Sequence, residues 1–228
     1  MKILVVDVGG NNVKLYAPGS SRARKLASGP TFTPAAMVAS VRRVARHWPY
    51  EAVTLGIPGP VVRGRLLLEP VNLGGGWKDF DYEAAFERPV KLVNDAAMQA
   101  LGSYKGGRML FLGLGTGLGS AMVSDGRIEP MELSHLPYRK GTFEDYVGRK
   151  GLERMGKRKW RRHVERVVEI FVAALLPDDV VIGGGNVKKL KRLPTGARAG
   201  SNDNAHRGGV RLWNEVGRPR PSSRRSPR

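Results

Sequence analysis

The sequence predicts a mixed α/β protein, and three observations support that fold class. Short apolar runs of strand length recur along the chain, and several of them end directly in a glycine turn. Helices with one apolar face are predicted between these strands, the best of them over 158–176. Hydrophobic residues make up 41% of the 228 residues, which suits a packed core. Strands interspersed with amphipathic helices are typical of sheets covered by helices.

The elements can be followed along the chain. A first strand ends at Asp7, a glycine turn follows, and residues 17–30 are predicted to form a polar loop. Thr33 and Pro34 have the residue types of a helix N-cap and first helical position. Further strands are predicted over 13–16, 52–57, 65–68, 90–93 and 179–182, and further helices over 96–104, from 143 onward, and within 199–213.

Residues 111–120 form the most glycine-rich stretch, which predicts a hairpin with a nearly bare tip. Its sequence is Phe-Leu-Gly-Leu-Gly-Thr-Gly-Leu-Gly-Ser. Glycines let the backbone take a positive φ and let a ligand approach the amide groups. Converging N–H groups suit a phosphate, and Thr116 adds a hydroxyl. A glycine hairpin without a ligand is the alternative at this point.

Polar side chains follow two buried strands. Asp7 ends the first strand, and Asn94 and Asp95 follow the strand over 90–93. Open α/β sheets bind ligands at the carboxyl ends of their strands. A helix N-cap is the alternative role for Asp95. Together with the glycine turns, these carboxylates indicate phosphate binding or phosphoryl transfer.

A second polar pair comes from Glu132 and His135, whose spacing places them near each other on a turn. An ordinary, partly exposed histidine is the alternative for His135.

Charge and composition limit the class of partner. The formal net charge is +19, from 39 basic and 20 acidic residues. Such a field attracts nucleic acid, an acidic membrane surface or an inorganic polyanion, although a solvated basic surface is the commoner explanation of a basic run. The chain has no cysteine, which excludes a disulfide framework and a thiolate metal site. Because its apolar runs are too short for a membrane span or a signal segment, we expect a cytoplasmic protein without a membrane partner.

Seven motifs, in the family's order over residues 2–213, resemble the ROK family of sugar kinases and repressors, within the actin/hexokinase/Hsp70 superfamily. They are Asp7-Val-Gly-Gly10 with Lys14, Gly56-Ile-Pro-Gly-Pro60, Asn72 with Trp77, Val93-Asn-Asp-Ala-Ala97, Leu114-Gly-Thr-Gly-Leu-Gly119, Glu132-Leu-Ser-His135 and Ile182-Gly-Gly-Gly-Asn186. Three further features resemble the polyphosphate glucokinase branch of the family. The chain lacks the cysteines of the family's zinc site, the sequence Phe143-Glu-Asp-Tyr146 precedes a basic helix, and residues 200–213 are similar to that branch's C-terminal region.

The resemblance implies a two-lobed actin-like, ribonuclease H-like fold with a cleft between the lobes. The N-terminal lobe is expected over 1–94 and the C-terminal lobe over 95–213, with the final helix able to return to the first lobe. A disordered basic tail is expected over 214–228. Without an N-terminal helix-turn-helix, the repressor branch is not expected. Family members are often dimers, so a homodimer is compatible with the resemblance.

The resemblance also implies an activity, the transfer of a phosphoryl group from inorganic polyphosphate or ATP to the 6-hydroxyl of glucose, with Mg²⁺ as cofactor. Asp95 would be the general base. The sugar would be held by Asn94, Glu132, His135 and Gly59. A first phosphate loop would comprise Asp7, Gly9, Gly10, Asn11 and Lys14, with Asp7 near Mg²⁺. A second loop would comprise Gly115, Thr116 and Gly117, and a nucleotide-side turn would comprise Gly183, Gly184 and Gly185. No zinc site is expected.

Two departures from the family pattern leave alternatives open. Asn11 stands where the family often has Thr or Ser, and Ser134 replaces the usual glycine before His135. The alternatives are an ATP-dependent hexokinase of the same family, and a non-catalytic protein that binds sugar or a polyanion. Nucleic acid is not the expected partner, because Asp95 and the glycine loops are all present.

Overall fold

Two five-stranded sheets with the same strand pattern form the framework of the protein, as seen in a computed structural model that describes residues 1–201 and 203–214. The strands are β1 (Ile3–Val8), β2 (Asn12–Tyr16), β3 (Ala23–Ala27), β4 (Ala52–Ile57), β5 (Val61–Val62), β6 (Arg65–Leu66), β7 (Val90–Asn94), β8 (Arg108–Leu114), β9 (Leu118–Ser124), β10 (Arg127–Met131), β11 (Pro137–Tyr138), β12 (Gly141–Thr142), β13 (Asp179–Gly183) and β14 (Ala197–Ala199). The helices are α1 (Pro34–Ala45), α2 (Tyr82–Phe86), α3 (Asp95–Ser103), α4 (Phe143–Val147), α5 (Arg149–Leu175) and α6 (Asn204–Asn214).

Each sheet consists of an antiparallel meander extended by two parallel strands. The first sheet has the order β3-β2-β1-β4-β7, and the second has the order β10-β9-β8-β13-β14. β4 and β7 continue the first sheet in parallel with β1, as β13 and β14 continue the second in parallel with β8. The β1–β2 turn and the β8–β9 turn therefore occupy equivalent positions in the two sheets. These turns are the two predicted phosphate loops.

Five layers of helices and sheets pack around three hydrophobic cores. One face of the first sheet packs against α1 and α2, and one face of the second packs against α4 and α5. The third core lies between the sheets and contains α3 and part of α6. Alternation along β8 illustrates the arrangement, because Phe111 faces the middle core whereas Leu110 and Leu112 face the core under α5. The predicted α/β fold class is confirmed.

The helix ends follow local sequence signals. The Thr33 hydroxyl accepts a hydrogen bond from the Ala36 N–H at 3.3 Å, and Pro34 follows it, so the predicted cap of α1 is confirmed. Thr142 and Asp145 form a reciprocal capping box at α4. α5 begins at Arg149, earlier than predicted, and its helical geometry is interrupted at Gly156, where φ is +73°.

Several predicted boundaries were wrong for a common reason. The predicted loop over 17–30 contains β3, and β10 and β14 were not predicted at all. All three are edge strands without a buried residue, so they lack the apolar alternation that identifies a strand. The strand predicted over 65–68 covers only Arg65–Leu66.

The C-terminal part is described as far as α6, which includes Asn214, the first residue of the predicted tail. The rest of that predicted tail, residues 215–228, lies outside the described residues. α6 packs against the first sheet as well as α3, since the Thr54 hydroxyl donates to the Gly209 carbonyl at 2.7 Å. The lobe boundaries proposed from the sequence stay a prediction. Among residues 1–201 and 203–214, no helix has both the length and the apolar character that a membrane span requires.

Glycines allow α3 and α6 to cross at very short range. A Cβ placed on Gly208 would overlap the Met98 carbonyl oxygen of α3, and a Cβ placed on Gly102 would overlap the Asn204 carbonyl oxygen of α6. Since the overlapped atoms belong to helix backbones, a rotamer change cannot relieve the clash. The middle layer therefore depends on glycine at both positions.

We predict that Gly208→Ala lowers the free energy of unfolding by about 1–3 kcal/mol, the usual cost of overpacking, although alanine gains about 1 kcal/mol of helix propensity. Denaturant unfolding of the full chain measures the change. Gly75→Ala is the matched control, because a Cβ there meets nothing within 4 Å. Equal stability of the two variants would contradict the proposed crossing.

Candidate active site

The first predicted phosphate loop lies at the β1–β2 turn and contains a partly buried ion pair. Asp7 and Lys14 face each other across the two strands, and the Lys14 Nζ lies 3.0 Å from Asp7 Oδ2. The Asp7 side chain is only 7% exposed, whereas the Lys14 side chain is 30% exposed, so the pair is shielded from solvent on the carboxylate side alone. The Gly9 N–H donates to the Asn12 carbonyl at 3.0 Å, which closes the turn, and Asn11 is exposed at its tip.

Asn94 is the N-cap of α3. Its Oδ1 accepts a hydrogen bond from the Ala97 N–H at 3.0 Å, and its Nδ2 donates to the Gly59 carbonyl at 2.9 Å. The alternative that Asp95 is the N-cap is therefore wrong, because the preceding residue has that role. Gly59, where φ is +139°, and Asn94 were both predicted to bind sugar, and they contact each other directly.

Asp95 is the first residue of α3, at the edge where β7 and β4 end. Its Oδ1 accepts a hydrogen bond from the Ala96 N–H at 2.9 Å. Burial, and next the negative charge of Asp7, raise the pKa of the Asp95 carboxyl to about 7. The backbone N–H groups of Ala96 and Asp95 and the charge of Lys14 oppose this shift in pKa. A carboxylate with a pKa near neutrality can accept and release a proton at physiological pH.

The second predicted phosphate loop, at the β8–β9 turn, is held by residues from the start of the α4–α5 region. The Arg149 N–H donates to the Thr116 carbonyl at 2.9 Å, and its guanidinium donates to the Thr116 hydroxyl at 3.1 Å. The Leu118 N–H donates to Glu144 at 3.2 Å, and a Cβ on Gly117 would overlap that carboxylate. Gly117 therefore leaves space for an acidic side chain beside the loop.

The third glycine turn packs directly against the second loop. β13 and β8 are adjacent and parallel, which pairs Gly183 with Gly113. The Asn186 side chain donates to the Gly115 carbonyl at 2.8 Å. Gly184 has a φ of +86°, and a Cβ there would overlap the Leu114 carbonyl oxygen. The predicted nucleotide-side turn, which ends at the exposed Gly185, thus forms one surface with the second loop.

Glu132 and His135 lie at a 3₁₀ turn after β10. The Glu132 Oε2 and His135 Nε2 atoms are 3.8 Å apart, and the side chains are 48% and 72% exposed. Burial raises the pKa of Glu132, His135 opposes the shift and Glu144 adds to it. Ser134, which replaces the usual glycine, is buried beneath this exposed pair.

The predicted residues fall into two groups that meet at the start of α3. One group contains Asp7, Lys14 and Asp95, and the other contains the second and third glycine turns. Gly119 of β9 joins them, because a Cβ there would lie 2.7 Å from the Ala96 Cβ. Glu144, which accepts a hydrogen bond from the second loop, also lies close enough to Glu132 for its charge to raise the pKa of that carboxyl.

Three further residues of this region were missed by sequence reasoning as site residues. These are Glu144, Arg149 and Asn186, each of which contacts the β8–β9 turn. Glu144 lies inside the motif 143–146 and Asn186 inside the motif 182–186, so the sequence did point to both positions. Arg149 carries no such signal, since its contact depends on how α5 is placed.

We predict opposite shifts in the pKa of Asp95 when its two charged neighbours are neutralised. Lys14→Met removes a positive charge and raises this pKa, whereas Asp7→Asn removes a negative charge and lowers it. Carboxyl carbon NMR titration of the protein without metal or substrate measures both shifts. Lys105→Met, which removes an exposed charge after α3, is expected to leave the pKa unchanged. Shifts of the same sign in the first two variants would contradict the proposed electrostatics.

Comparison with known proteins supplies the family context. No family model matches the chain. The chain is 26% identical over 210 residues to polyphosphate glucokinase from Mycobacterium leprae (strain TN), an alignment that covers 83% of this chain. The chain spans 61% of the length of that relative.

Solved structures share the fold. The inorganic polyphosphate/ATP-glucomannokinase from Arthrobacter sp. strain KM matches with a TM-score of 0.78 and 23% identity over 93% of this chain and 97% of that one. The ROK family glucokinase from Streptomyces griseus, solved with glucose and AMPPNP, matches with a TM-score of 0.75 and 15% identity over 93% and 99%. The ROK hexokinase from Thermus thermophilus matches with a TM-score of 0.71 and 22% identity over 95% and 99%. These likenesses confirm the resemblance that the motifs indicated: the chain has the two-lobed fold of the ROK sugar kinases and is similar in sequence to a polyphosphate glucokinase.

Proposed function

We propose that the chain is a phosphotransferase that moves the terminal phosphoryl group of inorganic polyphosphate to the 6-hydroxyl of glucose. The single observation that carries this proposal is Asp95, a half-buried carboxylate with a pKa of about 7 beside the Asp7–Lys14 pair. Both glycine loops lie near the same end of α3, which supplies a phosphate-binding surface close to the base. The curated relative, a polyphosphate glucokinase, supports the choice of donor and acceptor.

In this proposal Asp95 accepts the proton of the sugar 6-hydroxyl as the oxygen attacks phosphorus. A base with a pKa near the operating pH has the right protonation state and sufficient basicity. Asn94 retains one N–H and one lone pair beyond its two internal hydrogen bonds, so it can still bind a sugar hydroxyl. Glu132 and His135 present a carboxylate and an imidazole to the sugar, and their orientation of it selects the reacting hydroxyl.

The donor is proposed to lie along the glycine loops. The backbone of Gly9 and Gly10 and the backbone and hydroxyl of the β8–β9 turn would bind phosphate oxygens, with Lys14 and Arg149 as the nearby cations. Arg149 already holds Thr116 at the loop tip, which orients its hydroxyl before a donor binds. Positive charge placed in advance stabilises the transferring group without reorganisation.

Mg²⁺ is the proposed cofactor, and the residues present fit it. Magnesium in phosphoryl-transfer sites is held by one or two carboxylates together with substrate phosphates and water. Asp7 supplies a carboxylate whose Oδ2 bonds Lys14, and Asp95 lies beside it. When bound, the ion would offset negative charge on the donor phosphates. Among the described residues no group of three or more metal-ligating side chains is present.

ATP is a second candidate donor, favoured by one specific observation. The turn over 183–185 is bonded to the second loop through Asn186, so a nucleotide-side surface is available next to the phosphates. Structural relatives include one named for both polyphosphate and ATP and one solved with AMPPNP.

Glucose 6-phosphate formation with Mg²⁺ tests the proposal, with polyphosphate and ATP offered separately at equal phosphoryl concentration. We expect turnover with a preference for polyphosphate, and we expect Asp95→Asn to lower kcat by about 10²–10⁴-fold with little change in sugar binding. Absence of wild-type turnover with both donors, or full activity of the variant, would overturn the proposal.

Stability provides the folding control for that variant. The raised pKa means that the folded chain binds the Asp95 proton more tightly than the unfolded chain does. The ionised carboxylate therefore destabilises the fold above pH 7, and this cost disappears below about pH 4. Asp95→Asn is expected to raise the Tm by several degrees at pH 8 and to leave it nearly unchanged at pH 4.

A further inference from the structure

A basic cavity outside the active-site region lies between α5 and the segment 190–194. We call it the α5 groove. Its volume is about 310 Å³, at the lower end of the range of about 300–1,000 Å³ for ligand pockets. It is lined by Arg158, Arg161, Arg162, Glu165, Leu190, Lys191, Arg192, Leu193 and Pro194.

The groove contains more positive charge than its own structure neutralises. Five of its lining side chains are cationic and one, Glu165, is acidic. Two of the cations have structural partners: Arg161 donates to the Lys189 carbonyl at 2.7 Å, and Arg192 pairs with Glu165 at 3.3 Å.

The other three cations are available to a ligand. Arg158, Arg162 and Lys191 are exposed, and their side chains have no hydrogen bond or ion pair within residues 1–201 and 203–214. Arg158 and Arg162 are four residues apart on one helix face, so their side chains are neighbours. Arginine binds phosphate oxygens in a bidentate manner, and Lys191 adds a point charge from the facing segment.

Both walls of the groove begin at the second glycine loop. Arg149, the first residue of α5, bonds Thr116, and Asn186, which precedes the other wall, bonds Gly115. On the α5 wall, Gly156 interrupts the helix between Arg149 and Arg158. On the other wall only four residues lead from Asn186 to Leu190, so the groove begins no more than about 14 Å from the contact with the loop, at about 3.3–3.6 Å per extended residue. A linear anion that leaves the glycine loop along this wall therefore has the groove in its path, and a long chain extends further into it than a short donor does.

We propose that the α5 groove binds linear polyphosphate at phosphate residues remote from the reacting one, and so anchors long donors. This inference rests on the proposed function for the identity of the donor. Polyphosphate is favoured over nucleic acid because, in the described part of the chain, no aromatic side chain lines the groove. Sites for single-stranded nucleic acid combine a basic groove with aromatic side chains on which bases stack.

The test compares Arg162→Ala/Lys191→Ala with the wild-type chain and with Arg43→Ala/Lys105→Ala. The control removes the same two charges from exposed positions on α1 and after α3. Direct binding of long-chain polyphosphate and of tripolyphosphate is measured at 0.15 M salt without sugar, about the physiological ionic strength. We expect the groove variant to lose about tenfold or more in affinity for the long chain, relative to the control, and less than twofold for tripolyphosphate.

The outcomes separate this inference from the proposed function. A long-chain affinity equal to that of the control variant overturns the groove assignment, whether or not the chain phosphorylates glucose. An equal loss for tripolyphosphate also overturns it, because a short donor would then use the same residues. Competition by single-stranded DNA that matches polyphosphate at equal phosphate concentration overturns the choice of ligand. A selective loss for the long chain supports the groove even where glucose phosphorylation is absent, the result that would reject the proposed function alone.

Discussion

The close crossing of α3 and α6 is the constraint on which the site depends. Two glycines, Gly102 and Gly208, let the helix backbones meet between the sheets, and this contact sets the thickness of the middle layer. Asp95 is the first residue of α3, so its position relative to both sheets is set by the same packing. A larger residue at either glycine would displace the helix that carries the proposed base.

The same placement accounts for the electrostatics of Asp95. The half-buried carboxylate lies near Asp7, whose charge raises the pKa of Asp95, and near Lys14, whose charge lowers it. Because Lys14 also bonds Asp7, the three groups form one electrostatically linked set. Phosphoryl transfer to a hydroxyl needs charged groups at the phosphate loop and a base that accepts the hydroxyl proton. The cost of this arrangement is lower stability at neutral pH.

Sequence reasoning found the elements whose local signals are strong. The β8–β9 hairpin follows from its glycines, and the start of α1 follows from Thr33 and Pro34. It could not find the repeated sheet pattern, because β3, β10 and β14 are polar strands at or near sheet edges that satisfy neither apolar periodicity nor a turn signature. The repeat explains why the chain has two glycine turns for which phosphate binding is predicted, each joining the first two strands of its sheet.

The sequence motifs predicted which residues belong to the candidate site, but they did not predict which of these residues contact one another. Asn94 was expected to bind sugar. Its side chain also caps α3 and donates to the Gly59 carbonyl, and both contacts depend on α3 beginning at the next residue. Arg149 holds the second loop from a helix whose beginning the sequence does not reveal. The α5 groove likewise brings together two segments about thirty residues apart, so the basic residues on each were visible while their juxtaposition was not.

The central claim is that Asp95 is the base that accepts the proton of the sugar hydroxyl. The most direct measurement is the pH dependence of kcat/KM for glucose at saturating donor and Mg²⁺ between pH 4 and 9, for the wild-type chain and for Asp95→Asn. The account predicts an acidic limb in the wild-type profile, along which kcat/KM falls about tenfold per pH unit, and a much lower, pH-independent value for Asp95→Asn. The same acidic limb in Asp95→Asn would contradict it, because another group would then be the titrating base.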